Sequence, residues 1–373
     1  MPRPKGKTMK NSFGNALSVT LFGESHGEAI GAVIDGLSPG IKICEDYINK
    51  MMDMRRPSGD ISTPRKERDR VEIVSGIFNG YTTGTPVCIL IKNENRKSAD
   101  YGESLDMPRP SHADYTARCK YHGYEDHRGG GHFSGRITAA LVAAGAIIRY
   151  ALENKGIKIG THISRLGGIS DRTFSNYEED ISYLNSVIFP ALSESAGEKM
   201  RERILEAREA ADSIGGILET AVIGMPAGVG EPWFDTVEGV LAHILYSVPA
   251  VKGVEFGLGF GFADRLGSEA NDPFRMDGDR VVTATNNNGG VNGGITNGMP
   301  LIFRCAIKPT PSIFREQDTV SLSGGCNTTL KISGRHDPAI IHRARAVIDA
   351  VTAIALGDML TQRFGTDYLG EGK

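Results

Sequence analysis

Four short polar sequences in this chain contain the residue types that anion binding and proton transfer require. They are Gly23–Gly27 (GESHG), Arg109–Asp114 (RPSHAD), Arg128–Arg136 (RGGGHFSGR) and Gly334–Pro338 (GRHDP). The third leads into the apolar run Ala139–Ile148, which places glycines and two cations at a predicted helix N-terminus. Amides in a first helical turn lack partners and carry partial positive charge. The pattern therefore predicts a site for phosphate or another anion.

Two histidines are candidate proton-transfer groups because histidine titrates close to neutral pH. His26 lies between Gly23 and Gly27, where small neighbours leave the imidazole accessible. His112 lies in a turn closed by Asp114, with Arg109 close enough in sequence to hold an anion. Simpler roles remain open for both: a hydrogen-bonded turn histidine at 26 and a capping turn at 112. Adjacent Ser, His and Asp residues do not indicate a hydrolytic triad, whose members are seldom neighbours in sequence.

Two further segments carry groups suited to an anionic ligand. Asp337 precedes Pro338 and the apolar run Ile340–Arg363, so it is either a helix N-cap or a catalytic base. Lys308–Ser312 (KPTPS) offers a cation and hydroxyls on a backbone that its prolines keep extended, although it could equally be the end of an edge strand.

Metal binding is not expected from the sequence. His122, His127 and His132 recur every five residues with glycines between them, which matches no helical ligand spacing. The five cysteines form no Cys-x-x-Cys pair and are odd in number, which argues against a zinc site and a disulfide framework and favours a reducing compartment.

Composition limits the classes of partner. A net charge of −3 over 373 residues gives no general attraction to nucleic acid or anionic membranes. Six Lys/Arg and three acids alternate between Arg55 and Arg70, a pattern that usually marks a solvated surface. No apolar run approaches the ~18 residues of a membrane span. We therefore expect a cytoplasmic protein, with residues 1–10 as a leader or appended remnant, one domain over 11–365 and a tail over 366–373.

Hydrophobic periodicity predicts the elements that must position these groups. We expect two helices with few polar residues, Ile137–Glu153 and Ile340–Arg363, and a charged surface helix over Glu198–Ser213. Helices that are apolar on most sides need cover on several faces, and strands are the available material. The remaining predictions are a helix over Glu45–Met54, strands over Val19–Phe22, Ile30–Ile34, Val71–Ser75, Val87–Ile91, Leu218–Val222 and Gly253–Phe262, and a long functional or mobile loop over Gly267–Gly298. The fold class is one α+β domain.

The order and spacing of eleven short motifs from Ser12 to about Arg363 resemble the chorismate synthase family. The motifs are FGESHG from Phe22, RRP from Arg55, RPSHADY from Arg109, RGGG from Arg128, DSIG from Asp212, GVGEP from Gly228, VKGVE from Val251, GG at Gly289 and Gly293, KPT from Lys308 and GRHDP from Gly334. The resemblance implies anti-1,4-elimination of phosphate and a ring proton from 5-enolpyruvylshikimate 3-phosphate, with reduced FMN required and no net redox change. It also implies a β-α-β sandwich, with central helices between antiparallel sheets, and a homotetramer in which a neighbouring subunit touches each FMN.

The resemblance also assigns roles to residues of this sequence. His112 resembles the histidine that protonates the leaving phosphate, His26 the histidine that supplies a proton near the flavin, and Asp337 the carboxylate base. The arginines that resemble the substrate clamp are Arg55, Arg56, Arg109, Arg136 and Arg335. The residues that resemble the FMN contacts are His132, Phe133, Ser134, Pro249, Ala250, Gly293, Lys308, Pro309, Thr310, Pro311, Ser312 and Arg335.

The sequence departs from the family pattern at two places. Many members carry Arg-Ser-Ser where this chain has His132-Phe133-Ser134, and Asp60 falls near a family arginine, which weakens the case for NADPH binding. A separate flavin reductase or cellular reductant is then expected to supply reduced FMN. Two rival classes remain: an ordinary flavin oxidoreductase, which would consume NADPH steadily, and a flavin- or phosphate-binding sensor, which would not need paired acids and an arginine clamp.

Overall fold

Two antiparallel five-stranded sheets enclose a layer of helices in the computed structural model, which describes residues 10–57, 59–62, 69–94, 106–332 and 337–370. The first sheet has the order β1-β2-β3-β7-β4, and the second has the order β11-β16-β10-β8-β9. Strands of the first sheet are β1 (Ser12–Phe13), β2 (Ser18–Gly23), β3 (Ala29–Asp35), β4 (Val71–Ser75) and β7 (Val87–Lys92); the short pair β5 (Ile77–Phe78) and β6 (Tyr81–Thr82) lies between the last two in sequence. Strands of the second sheet are β8 (Lys158–Leu166), β9 (Ile169–Ser170), β10 (Gly216–Ile223), β11 (Val251–Phe256) and β16 (Leu301–Ile307).

Helices α3 (Thr138–Asn154) and α8 (Ile341–Phe364) form the centre of the sandwich. Helix α3 packs on β3 and β7 of the first sheet, and α8 packs on β8 and β10 of the second. The two helices approach closely at Gly145, where an added Cβ would lie 2.6 Å from Cα of Ala350. The other helices are α1 (Glu45–Arg55), α2 (Asp114–Tyr121), α4 (Tyr177–Leu184), α5 (Glu194–Glu209), α6 (Val237–Leu245) and α7 (Gly267–Ala270). The predicted α+β sandwich is confirmed.

A buried ion pair joins the two central helices. Arg149 of α3 and Asp349 of α8 are each 1% exposed, and Nη1 of the arginine lies 3.1 Å from Oδ2 of the aspartate. The other carboxylate oxygen accepts a 2.6 Å hydrogen bond from the Thr161 hydroxyl in β8. The interior of this layer is therefore held by a charged contact as well as by apolar packing.

Three predictions about elements were wrong. The strand predicted to reach Phe262 ends at Phe256 and is followed by a 3₁₀ helix, Gly259–Asp264. The expected long loop over Gly267–Gly298 instead holds α7 and two hairpins, β12 (Phe274–Asp277) with β13 (Arg280–Thr283) and β14 (Val291–Asn292) with β15 (Ile295–Thr296). The two strands of a hairpin hydrogen-bond to each other's backbone N–H and C=O groups, so this segment can fold with few buried side chains. Helix α8 begins at Ile341, without a side-chain cap, so Asp337 is not its N-cap.

One described helix, Gly135–Asn154, is long and apolar enough to cross a membrane by composition, but 89% of its most apolar stretch is buried inside the protein. It contains α3, the core helix between the sheets. The apolar composition is thus explained by burial against two layers of protein.

Candidate active site

A cavity of about 870 Å³ opens at the N-terminal end of α3, where the helical layer meets residues from both sheets. This volume lies within the range of ~300–1,000 Å³ of pockets for small ligands. Of the residues predicted from the sequence, the cavity is lined by Arg55, Arg109, His112, His132, Phe133, Ser134, Arg136, Pro249, Ala250, Lys308, Thr310, Pro311, Ser312 and Asp337. Segments separated by up to 282 residues of sequence, from Arg55 to Asp337, therefore meet at one site.

The glycine segment before α3 lies between the two candidate histidines. Gly129, Gly130 and Gly131 all have positive φ, at 59°, 83° and 51°. A Cβ on Gly129 would lie 2.2 Å from Cε1 of His26, and one on Gly130 would lie 3.3 Å from Cε1 of His112. Glycine is thus required here both by the left-handed backbone and by the close approach of imidazole rings. His26 is buried directly behind Gly129, which itself lines the cavity.

His112 and Arg109 are both bound to one carboxylate, Asp114. The Nδ1 atom of His112 lies 2.6 Å from Oδ1 of Asp114. Arg109 donates to both carboxylate oxygens, from Nε and from Nη2, at 2.7 Å each. The Arg109 guanidinium, which the sequence assigned to an anionic ligand, therefore forms a bidentate pair with Asp114. Its charge is thus largely neutralised within the protein.

Lys308 holds the turn that carries His112. Its Nζ donates to the carbonyl oxygen of Ser111 at 2.6 Å and contacts the Ser111 hydroxyl at 2.8 Å. Ser111 has φ +60°, a left-handed conformation that is costly for a residue other than glycine. Burial and the nearby Lys252 together lower the pKa of Lys308. The lysine thus stabilises a strained turn as well as adding charge to the cavity wall.

Arg55 and Arg136 share the buried carboxylate of Asp69. Arg55 lies 3.3 Å from one carboxylate oxygen, and Arg136 is bound to the other. Further bonds fix both guanidinium groups: Arg55 Nε donates to the Thr138 hydroxyl at 2.9 Å, and Arg136 Nε donates to the Asn93 side chain at 3.1 Å. Asp69 therefore holds two guanidinium groups side by side on this wall of the cavity.

Asp337 lies on another part of the wall of the same cavity. Its Oδ2 accepts a 2.6 Å bond from Nη1 of Arg343, and the Nε of that arginine donates to the backbone carbonyl of Arg55 at 2.8 Å. Its backbone carbonyl accepts a bond from the Thr310 hydroxyl. Asp337 is thus held by α8 and by the Lys308–Ser312 segment, with its side chain in the cavity wall instead of capping the helix.

His132 is oriented by a hydrogen bond to the end of strand β2. Its Nδ1 lies 2.8 Å from the carbonyl oxygen of Gly23 at the end of β2. A carbonyl can only accept, so Nδ1 carries the proton and Nε2 is the atom available to a ligand. Next to it, Ser134 caps the short 3₁₀ helix Gly135–Ile137 by accepting from the backbone N–H of Arg136.

Five predicted site residues are not placed on the cavity wall. His26, Arg56, Pro309 and Gly293 do not line it, and Arg335 falls outside the described residues. Arg56 binds Asp53 near the surface instead. Arg128, one of the two cations expected at the helix N-terminus, forms a bidentate pair with Asp126 at 2.8 Å for each bond. The helix entrance therefore contributes glycine backbone and Arg136, but not a second cation.

The sequence did not reveal that Asp69 and Arg343 belong to the site, nor that Asp114 pairs with Arg109 and His112. Asp69 belongs to the mixed-charge run that reads as a solvated surface, and no local signal marks it as buried. Arg343 lies in the first turn of α8, six residues after Asp337, and no local pattern marks it as the partner of that carboxylate. Among the described residues, no group of three His, Cys, Asp or Glu could hold a metal ion.

A helical layer between antiparallel sheets, with a cation-lined cavity that holds a histidine and a carboxylate, defines an enzyme acting on an anionic small molecule. Comparison with known proteins gives the family. Residues 17–361 match the family described as chorismate synthase, and the chain belongs to that family.

Chorismate synthases from Pyrococcus abyssi and from Dehalococcoides mccartyi strain BAV1 are 48% and 47% identical to the chain. The alignments cover 94% of this chain, and 97% and 96% of those proteins respectively. A crystal structure of chorismate synthase superposes with a TM-score of 0.73 at 28% identity, covering 95% of this chain and 94% of that one. The enzyme is a lyase of the shikimate pathway that converts 5-enolpyruvylshikimate 3-phosphate to chorismate and phosphate, and it requires reduced FMN.

Proposed function

We propose that the 870 Å³ cavity is where this chain eliminates phosphate, with His112 as the acid and Asp337 as the base. The observation that carries the proposal is that each of these groups lines the cavity and is held by a partner of opposite charge. Asp114 binds His112 and Arg343 binds Asp337. Groups that transfer protons must be positioned before the substrate arrives, and these ion pairs supply that positioning.

His112 is suited to protonate the leaving phosphate. Its Nδ1 faces Asp114, so Nε2 is the ring atom that can give a proton to a ligand oxygen. Lys308 fixes the turn from the other side and places a cation close to the same position. Together they can neutralise the charge that develops on phosphate as its bond to carbon breaks.

Arg55 and Arg136 are suited to bind the substrate's anionic groups. Both guanidinium groups line the cavity and are held by their shared partner Asp69, so an anion entering the cavity meets two cations at fixed positions. Arg109 acts differently in this proposal, because its guanidinium is already engaged by Asp114 beside the acid. Arg56 and Arg335 keep their substrate roles only as predictions from the resemblance.

Asp337 is suited to take up the ring proton. It lies on the wall formed by α8 and Lys308–Ser312, with one oxygen bound to Arg343. That bond keeps the carboxylate oriented, and the arginine also contacts the backbone of Arg55, which belongs to the proposed substrate clamp. The base and the clamp are therefore held by one side chain.

The residues present fit a flavin phosphate. The cavity combines an apolar wall that includes Pro249, Ala250 and Pro311 with cations at Lys308 and Lys252 and with the glycine backbone before α3. When bound there, reduced FMN supplies the electron density that lets phosphate leave an unactivated allylic carbon. His132, Phe133, Ser134, Thr310 and Ser312 also line this space, whereas Pro309 and Gly293 remain predictions.

The ratio of product to reductant tests the proposal against an ordinary flavin oxidoreductase. The elimination consumes reductant only to prime FMN, so we expect many chorismate molecules per equivalent of reductant in anaerobic solution. One equivalent of reductant consumed in each turnover would contradict the proposal. Binding of FMN and phosphate without any chorismate would instead favour the sensor.

His132 provides a prediction on FMN affinity. If its Nε2 faces the FMN phosphate, a proton there strengthens binding, so affinity should fall as pH rises and the ring loses that proton. His132→Arg should keep a permanent charge and flatten the dependence without abolishing activity. His132→Gln is the matched control, because it retains only the titration of the FMN phosphate itself. Dissociation constants measured by flavin fluorescence between pH 5.5 and 8.5 would show His132 to be a bystander if wild type and His132→Gln gave the same profile.

We propose that the chain works as a cytoplasmic homotetramer supplied with reduced FMN by a separate reductase or cellular reductant. An exposed apolar surface supports assembly: Trp233, Phe234 and Phe260 are 85%, 94% and 86% exposed. Large exposed aromatic residues of this kind are typical of interfaces. Light scattering at dilute concentration should give a mass near four times 40.1 kDa. A fully active monomer would contradict the assembly.

A further inference from the structure

Asp114 binds two groups of the site through both carboxylate oxygens. It is the first residue of α2, and its side chain is 13% exposed. Oδ1 accepts from Nδ1 of His112 at 2.6 Å and from Nη2 of Arg109 at 2.7 Å. Oδ2 accepts from Nε of Arg109 at 2.7 Å and from its backbone N–H at 3.0 Å. Four short contacts thus fix this carboxylate relative to the histidine and the arginine.

The protonation of these partners follows from their chemistry. Burial would raise the pKa of Asp114, but hydrogen bonds from Arg109 and His112 outweigh burial and hold the pKa well below its usual range. The ionised carboxylate can only accept, so Nδ1 of His112 must carry a proton. The 3.0 Å approach of Arg109 Nη2 to the same Nδ1 is therefore not a hydrogen bond, because both atoms would be donors. Nε2 remains for the ligand.

Other charged groups surround the ring without bonding it. Behind His112 a small space of about 20 Å³ is lined by side chains that include Arg118, Glu125, Asp126 and His127. On the other side, Lys308 bonds the Ser111 turn. Within the described part of the chain, Asp114 is the carboxylate that hydrogen-bonds the His112 imidazole.

We propose that Asp114 is a positioning residue for the elimination, which keeps a proton on Nδ1 of His112, so that the doubly protonated ring presents its Nε2 proton to the ligand. The carboxylate also holds the Arg109 guanidinium against the same ring. The inference rests on the proposed function for one step, the transfer of the Nε2 proton to phosphate. After that transfer the neutral ring keeps its Nδ1 proton on Asp114, which favours the products of the step.

Asp114→Asn tests the proposal because an amide cannot replace both acceptors. Oδ2 receives two of the Arg109 bonds, from Nε and from the backbone N–H, so the amide oxygen takes that position. The amide NH₂ group then takes the Oδ1 position beside His112 and forces Nδ1 to accept. His112 then adopts the Nε2–H form and cannot keep an Nδ1 proton after giving up the other. We expect turnover to fall by ~10²–10⁴-fold, the usual contribution of a positioned acid, with a smaller change in KM. Asp114→Glu, which retains a carboxylate, should recover part of the loss.

The readout specific to positioning is the His112 tautomer, measured by ¹⁵N NMR on the full chain with His112→Gln used to assign the signal. Asp126→Asn is the matched control, since Asp126 makes the same bidentate pair with Arg128 nearby but is not bonded to His112. Wild type and control should show a protonated Nδ1, whereas Asp114→Asn should show Nδ1 without a proton and the proton on Nε2. An unchanged tautomer in Asp114→Asn, or a rise in KM alone, would overturn the proposal. A switched tautomer with unchanged turnover would support positioning by Asp114 and refute the acid role of His112 in the proposed function.

Discussion

His112→Ala should lower turnover by ~10²–10⁴-fold, because a side chain placed for proton transfer typically contributes that much. The variant keeps the bidentate pair of Arg109 with Asp114, so the fold and the affinity for FMN should change little. The expected loss therefore appears in the maximal rate of phosphate release. Single-turnover measurements with preformed reduced flavin separate this loss from any slower flavin reduction.

A control is available at the other end of α2. His122 follows α2, is exposed and has a left-handed backbone, so His122→Asn fits the local conformation and should leave turnover unchanged. His26→Ala should also lower turnover strongly, although His26 is buried behind Gly129 and does not line the cavity. Losses below fivefold in both His112→Ala and His26→Ala, with flavin still bound, would refute the assignment of these histidines.

Asp349→Ala should cost ~3–5 kcal/mol of unfolding free energy, because it removes the buried counter-charge of Arg149 and leaves the partly exposed Glu153, 3.5 Å away, as the remaining carboxylate partner. The change also removes the acceptor of the Thr161 hydroxyl and so loosens the contact between α8 and β8. Chemical denaturation followed by circular dichroism measures the effect. An exposed pair gives the comparison: Asp277→Ala breaks a contact to Arg280 in which the two side chains are 63% and 80% exposed, and should have little effect.

A similar midpoint of unfolding for the two variants would show that the sandwich does not depend on its buried ion pair. Activity should fall in proportion to the folded fraction of Asp349→Ala, since Asp349 does not line the cavity. This separates a structural loss from the catalytic loss expected of His112→Ala.

The central helices could be predicted because their sequence records their surroundings. Ile137–Glu153 and Ile340–Arg363 contain long apolar stretches, and helices of this kind need cover from two layers. The start of α8 could not be predicted as well. Asp337 and Pro338 form a plausible local cap, but the carboxylate pairs instead with Arg343, six residues further along in the first turn of α8. Local preference was overridden by a contact that the sequence pattern does not reveal.

The same distinction applies to the site. His26, His112 and Gly129–Gly131 can be recognised from their residue types and their sequence neighbours. The structure brings the two histidines together around the glycine segment. The partners of the cations could not be predicted from the sequence. Asp69 lies 67 residues from Arg136 in sequence, and Arg109 is matched by Asp114 although it resembles a ligand-binding arginine. Which charges are paired depends on packing between distant segments, and spacing along the chain does not encode it.

The most direct test of the account is an anaerobic assay with 5-enolpyruvylshikimate 3-phosphate, with and without dithionite-reduced FMN, that follows chorismate absorbance and phosphate release together. We expect equal amounts of chorismate and phosphate with reduced FMN and neither product with oxidised FMN or no flavin. Phosphate without chorismate, or product formation that does not depend on reduced FMN, would contradict it.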